Sequence, residues 1–177
     1  MKENTLEKEL LAATSRIINT QGVSRLTLEN VAQEAGVSKG GLLYHFPNKK
    51  ALIMGVLNQI IQRYTDSFLT PSNQDTDPGE TLRAYIEVSL KDPQQMTSGL
   101  LAAMTSDPEL LAPFQEHYEL WQKQIEEDGV DPVIATIIRL AVDGLWFSDM
   151  FGLAPIQDNL RENVLNELLT MTRVKTD

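Results

Sequence analysis

The residues with the most to offer chemically crowd into the run TLENVAQEAGVSKGGLLYHF, from Thr27 to Phe46, and the four that follow it, Pro47, Asn48, Lys49 and Lys50. Thr27 and Ser38 each carry a hydroxyl that can accept from the backbone N–H groups opening a helix. Lys39, Gly40 and Gly41 come directly after Ser38. A glycine costs a helix about 1 kcal/mol, so two in one short helix need a compensating use. Lacking side chains, they let the backbone approach a bulky partner, and the positive end of the helix dipole suits a phosphate. Lys49 and Lys50 open the next helix with positive charge against its dipole, a penalty that a phosphate beside Lys49 reverses. Tyr44 offers its hydroxyl to the same kind of partner. His45 can do likewise or serve as an ordinary surface histidine. The chemistry these residues point to is recognition of a phosphate chain.

Bond-making chemistry finds little to work with. The chain has no cysteine and two histidines, His45 and His117, and no His-x-x-His or Glu-x-x-His spacing that would hold a metal. There is no glycine-rich phosphate loop, and the acidic run Glu126, Glu127 and Asp128 reads as a solvated helix face. We therefore expect a protein that is not an enzyme and needs no metal or cofactor. The N-terminus MKENT lacks the apolar core of a signal peptide, and the most apolar stretch, from Val133 to Pro155, is broken by Arg139, Asp143 and Asp149. The expectation is a cytoplasmic protein with no membrane association.

A net charge of −10 argues against a polyanion partner until the chain is divided at Arg63. Residues 1–63 hold eight Lys or Arg against five Glu, a net +3, whereas the remainder holds seven basic and twenty acidic residues, a net −13. Nucleic acid would be drawn to one end and repelled by the other.

The elements that must position these residues are all helical. β-Branched pairs such as Val133-Ile134 and Ile137-Ile138 recur at helical spacing, and nothing alternates as a strand would. Asp-Pro pairs at 77-78, 92-93, 107-108 and 131-132 set a capping carboxylate beside a residue tolerated in the first turn, and each is expected to open a helix. The expected helices span roughly 5–20, 27–34, 38–45, 49–69, 79–91, 93–105, 108–127, 132–151 and 158–173. The expected organisation is a three-helix unit over residues 1–47, then a helical bundle over 48–177, an all-α architecture of about nine helices. In the short pair of helices, Gly36 ends the first and Ala32 leaves room for Leu42 at the crossing.

Taken together, Gly22-Val23, Leu26-Thr27-Leu28, Val31-Ala32, Gly36-Val37-Ser38-Lys39-Gly40 and Leu42-x-Tyr44-His45-Phe46-x-Asn48-Lys49 resemble the pattern of the TetR family of transcriptional regulators across residues ~6–57. The resemblance implies a homodimeric repressor in which the helix at 38–45 lies in the major groove of a palindromic operator. Thr27, Ser38, Lys39, Gly40, Gly41, Tyr44, His45 and Lys49 would then be the DNA-contacting set. Gly41 and Leu43 depart from the commonest family residues, so base preference does not carry over at those points. Leu43 is open to a thymine-methyl contact or to burial. The competing reading is a helical interaction protein that keeps the fold without binding an operator.

The remainder of the chain would sense a small-molecule effector. Tyr64, Leu100, Met104, His117, Trp121, Asp143, Trp146 and Phe147 are the candidate pocket residues, an aromatic and methionine lining with an acid that could select a cationic compound. Core packing accounts for many of them equally well. The helix from Pro132 is apolar nearly all round, so one face must meet something beyond its own unit. Family resemblance makes that face and the last helix a four-helix dimer interface, with Ile138, Val142, Leu145, Leu160, Val164, Leu165 and Leu168 as its candidates. The stretch Leu140 to Phe147, LAVDGLWF, resembles a family subset with lipophilic or cationic effectors.

Overall fold

The computed structural model describes residues 2–69, 77–91 and 98–173. Among them every regular element is helical: α1 (Lys2–Gln21), a single 3-10 turn (Val23–Arg25), α2 (Leu28–Glu34), α3 (Lys39–His45), α4 (Lys49–Leu69), α5 (Glu80–Lys91), α6 (Ser98–Ser106), α7 (Pro108–Glu126), α8 (Pro132–Phe151) and α9 (Asp158–Met171). The all-α expectation holds, with most helix ends within one or two residues of those expected.

The Asp-Pro reading holds in part. The Asp131 carboxylate accepts from the N–H groups of Val133 at 2.9 Å and Ile134 at 3.1 Å, and that of Asp107 accepts from Glu109 at 3.0 Å, so each caps its helix. Asp77 does not. Its carboxylate bonds Arg83, while the first turn of α5 donates to Asp128, from Thr81 at 3.1 Å and Leu82 at 2.8 Å. A carboxylate remote in sequence but near in space thus does what the local one was expected to do. The pair Asp92-Pro93 lies outside the described residues.

The chain forms two compact units: residues 1–61 with 96–114, and residues 62–95 with 115–177. In the first, Leu10, Ala13, Val31, Leu42, Leu52, Leu57, Leu100 and Met104 are essentially inaccessible to solvent and make one core. Gly55 belongs to this core. A Cβ there would stand 2.6 Å from Leu11 Cδ2 and 3.0 Å from Phe46 Cε1, so a larger residue would have to push those side-chain ends aside where α4 meets α1. In the second unit, Leu82, Tyr85, Trp121, Ile125, Ala135, Ile138 and Val142 are buried, and α5 packs along α8. Two helices, α4 and α7, run continuously from one unit into the other. Pro113 lies inside α7, where it removes one intrahelical hydrogen bond beside the boundary at Phe114.

Candidate functional site

The α2–α3 pair is built by three polar caps and one reversed turn. Thr27 Oγ1 accepts from Asn30 N at 3.1 Å and fixes the start of α2, and Asn30 Nδ2 donates to Arg25 O at 2.9 Å. Gly36, at φ +68°, takes the chain through the left-handed region that ends α2, and Val37 N then donates to Ala32 O at 2.9 Å. Ser38 Oγ accepts from Gly41 N at 3.1 Å and starts α3. Leu42, fully buried, and Phe46 hold α3 to the core, while Asn48 Oδ1 accepts from Ala51 N at 2.8 Å and caps α4. Arg16 Nε donates to Glu34 Oε1 at 2.8 Å, tying α1 to α2.

This packing turns one face of α3 into the core and leaves the other bare. Ser38, Lys39 and Gly40 are exposed, Gly41 and His45 are half-buried, Leu43 is 38% exposed, and Tyr44 retains 77% of its accessible surface. The Tyr44 ring stands edge-on to that of His45, with the ring centres 5.2 Å apart. A Cβ at Gly40 would meet nothing within 4 Å, and one at Gly41 would meet only Ser38 Oγ, at 3.4 Å. Packing within the protein therefore does not demand either glycine. What they leave open is the approach of α3 to another molecule.

The lysines are arranged differently from one another. Lys39 Nζ bonds the Glu29 carboxylate, and the ammonium beside it holds that carboxyl below its ordinary value. Lys49 Nζ donates to Val23 O at 2.6 Å, which leaves the ammonium with further donors for a phosphate. Lys50, which carried no assigned role, spans from the first turn of α4 to the start of α7: Nζ lies 2.9 Å from Asp107 Oδ2 and also bonds Glu109. Its two carboxylate partners explain a lysine placed against the α4 dipole without any phosphate.

In the second unit the aromatic residues gather around Trp121, which is buried. Its indole donates to Thr65 Oγ1 at 3.2 Å, and the rings of Tyr64, His117 and Tyr118 lie 6.0, 6.2 and 5.1 Å away. Nδ1 of His117 is buried with no hydrogen-bond partner among the described residues. Asp143 accepts from Tyr85 and pairs with Arg139 Nη1 at 2.7 Å. Burial pushes its carboxyl above the usual range, with the Tyr85 hydrogen bond and the Arg139 charge pulling the other way. Burial likewise raises the Tyr85 and Tyr118 hydroxyls, so both remain protonated donors. Tyr85 was missed from the sequence because it reads there as one more apolar residue on the inner face of α5. Leu100 and Met104 are core residues of the first unit, whereas Tyr64, His117, Trp121, Asp143, Trp146 and Phe147 belong to the second. Trp146 is half-buried, and Phe147 is exposed with its ring 4.6 Å from that of Phe151.

Of the interface candidates on α8, Ile138 and Val142 are fully buried within their own unit, whereas Leu145, 6% exposed, lines a groove together with Ala141, Gly144, Ser148 and Val164. The apolar surface of α8 is instead Val133, Ile137, Leu140, Phe147 and Phe151. On α9, Leu160 is exposed, Val164 and Leu165 are half-buried, and Leu168 is buried. An all-round apolar helix carries no sequence record of which face turns inward.

Comparison with known proteins agrees with this geometry. Residues 10–55 match the family model described as bacterial regulatory proteins, tetR family, and residues 79–173 match the tetracyclin repressor-like C-terminal domain. The HTH-type transcriptional regulator LmrA of Bacillus subtilis is 30% identical over 129 residues, covering 68% of this chain and 69% of that protein. RutR of Escherichia coli is 36% identical over 88 residues, 48% of this chain and 40% of RutR. Among solved structures, a transcriptional regulator from Rhodococcus sp. Rha1 superimposes with a TM-score of 0.76 at 18% identity, covering 96% of this chain and 99% of that one. The SmeT–triclosan complex superimposes with a TM-score of 0.73 at 16% identity, covering 98% and 96%. With both halves matched and the helix-turn-helix built as its sequence requires, the chain belongs to the TetR family of bacterial transcriptional regulators.

Proposed function

We propose that the protein is a homodimeric repressor acting in the cytoplasm, which grips an inverted-repeat operator through α3 and the first turn of α4 and lets go when a small lipophilic or cationic compound binds among the aromatic side chains of the second unit. The observation that carries the DNA half is the bare face of α3: Tyr44 stands 77% exposed beside two glycines that no internal packing demands. Thr27, Ser38, Lys39, Gly40, Gly41, Tyr44 and His45, on a reader spanning 1–47, form the proposed contact set together with Lys49 in the first turn of α4, with sensing and dimerisation assigned to 48–177. Dimerisation is supported by the exposed stripe Val133, Ile137, Leu140 and Phe147. Beside it a groove with small residues, Ala141, Gly144, Ser148 and Ala154, runs toward Val164 of α9 and suits interdigitation with a like surface.

Release follows from the two helices that run through both units. Lys50 and Asp107 tie the first turns of α4 and α7 together in the first unit, and Thr65 and Trp121 tie the same helices in the second. A compound that wedges against Trp121 would change the spacing of α4 and α7 at the Thr65 tie. The cluster of Tyr64, His117, Tyr118 and Trp121 with the Asp143 carboxylate suits an aromatic or cationic compound. The test is selection from a pool of random duplex DNA, followed by affinity measurements on the enriched site between 50 and 200 mM salt. An inverted repeat with affinity falling on the order of a thousandfold or more across that range supports the reading, since six to ten phosphate contacts behave so. Enrichment of no sequence overturns it in favour of a helical interaction protein.

A further inference from the structure

A carboxylate sits where a DNA reader can least tolerate one. Glu29 stands in the first turn of α2 with its side chain 63% exposed, bonded to the ammonium of Lys39 in the first turn of α3, itself 55% exposed. The other reader acid with a defined partner, Glu34, is held by Arg16 at 2.8 Å. Arg16 is not among the proposed contact residues, so Glu34 has a role in joining α1 to α2. Glu29 joins α2 to α3 through Lys39 and sits where the α2 dipole favours an acid, but Thr27 already caps α2 and so exposed a pair adds little stability, which leaves the two side chains free to exchange one another for groups on DNA. Brought against a polyanion, an acid in that position weakens binding unless something on the DNA accepts it.

In helix-turn-helix readers the side chains at the start of the second helix reach base edges in the major groove, and Lys39 occupies that turn. Its contact with Glu29 brings the carboxylate to the same place. Of the groups that a base pair displays in the major groove, guanine offers the acceptors O6 and N7, which suit an ammonium, and its partner cytosine offers the N4 amino donor, which suits a carboxylate. A lysine and a glutamate side by side match the two halves of one G·C pair. We propose that Glu29 and Lys39 act as a joint reader of a single G·C base pair in each operator half-site, with Glu29 accepting from cytosine N4 and Lys39 donating to guanine. Glu29 is then a specificity-determining residue whose contribution is discrimination rather than affinity.

The inference rests on the operator-binding reading above, and the experiment separates the two. The full chain and its Glu29→Ala, Glu29→Gln and Lys39→Ala variants are each taken through selection from random duplex DNA, with thermal unfolding run in parallel. The wild-type site should contain one G·C position per half-site that loses its preference in both Glu29→Ala and Lys39→Ala, by about tenfold in relative affinity, the scale of a single base contact. Glu29→Gln, whose amide oxygen still accepts from cytosine, should keep a weaker preference at that position. Glu29→Ala should also bind arbitrary DNA more tightly, because a negative charge has gone from the interface. If the wild type enriches an inverted repeat and Glu29→Ala enriches the same one with every position unchanged, or if the two alanine variants relax different positions, the joint reading is wrong while operator binding stands. If the wild type enriches nothing, operator binding itself fails.

Discussion

Replacing Gly40 by alanine should make the protein more stable and a worse DNA binder, two effects that only a recognition role for the glycine brings together. Gly40 is the second residue of α3, and a Cβ built there meets nothing within 4 Å, so the methyl enters without strain. Alanine is favoured over glycine within a helix by up to about 1 kcal/mol, partly because the unfolded chain loses freedom. In a chain of this size that raises the midpoint of thermal unfolding by about 2 to 4 °C. The same methyl projects from the face that α3 offers to DNA. There it must displace a phosphate or base edge, and relieving a misfit of one methyl costs about 1 to 3 kcal/mol, or roughly five- to 150-fold in affinity. Gly41→Ala should behave alike, since its Cβ clears Ser38 Oγ at 3.4 Å and the cap survives. The assays are calorimetric unfolding and fluorescence anisotropy on the selected duplex. A Gly40→Ala protein that gains stability and binds the duplex as well as wild type would refute the assignment of that face to DNA.

Lys49→Ala should weaken binding to every sequence alike and flatten the log-log salt dependence by about one unit, the signature of one lost phosphate contact, measured by anisotropy over a salt series. An unchanged slope would mean that its bond to Val23 O is its whole purpose. Lys50 holds the Asp107 carboxyl below its ordinary value of 3.8, and a depressed acid lends stability above that value that is lost as the pH falls through the lowered one. Thermal midpoints of wild type and Asp107→Asn, followed as the pH is lowered from about 6 to about 3, should therefore converge at the acid end. Curves that stay parallel would show that the pair carries no such linkage. Ile137→Glu combined with Leu140→Glu should leave the helical circular dichroism intact and convert a dimer into a monomer by analytical ultracentrifugation, because both side chains are about half exposed in one copy. Ile138→Glu should instead unfold the second unit, since that side chain is fully buried.

Much of the fold can be read from the sequence, because caps, glycines and apolar spacing act locally. Thr27, Ser38 and Asp131 each cap the helix that follows them, and Gly36 adopts the reversed geometry that its place after α2 demands. What depends on distant contacts is not legible in the same way. Asp128 caps α5 in place of Asp77, Gly55 is small because Leu11 and Phe46 press on it, and Lys50 finds its partners more than fifty residues away. The inward face of α8 is the sharpest instance. Ile137 and Ile138 are chemically identical neighbours, and only the packing against α5 decides that Ile138 is buried and Ile137 is not. The candidate site divides along the same line. The residue types of the reader are informative because glycines and lysines are costly in helix first turns, and the Arg139 partner of Asp143 lies one turn away on α8, whereas its Tyr85 partner and the Thr65 partner of Trp121 come from α5 and α4 and leave no local trace.

The most direct test is amide hydrogen exchange of the full chain with and without its selected duplex. Added protection should concentrate in residues 38–45 and the first turn of α4, with little change on the exposed faces of α7, where the charge is acidic and DNA is repelled. Protection confined to the second unit, with α3 exchanging as it does in the free protein, would contradict the assignment of α3 as the DNA reader.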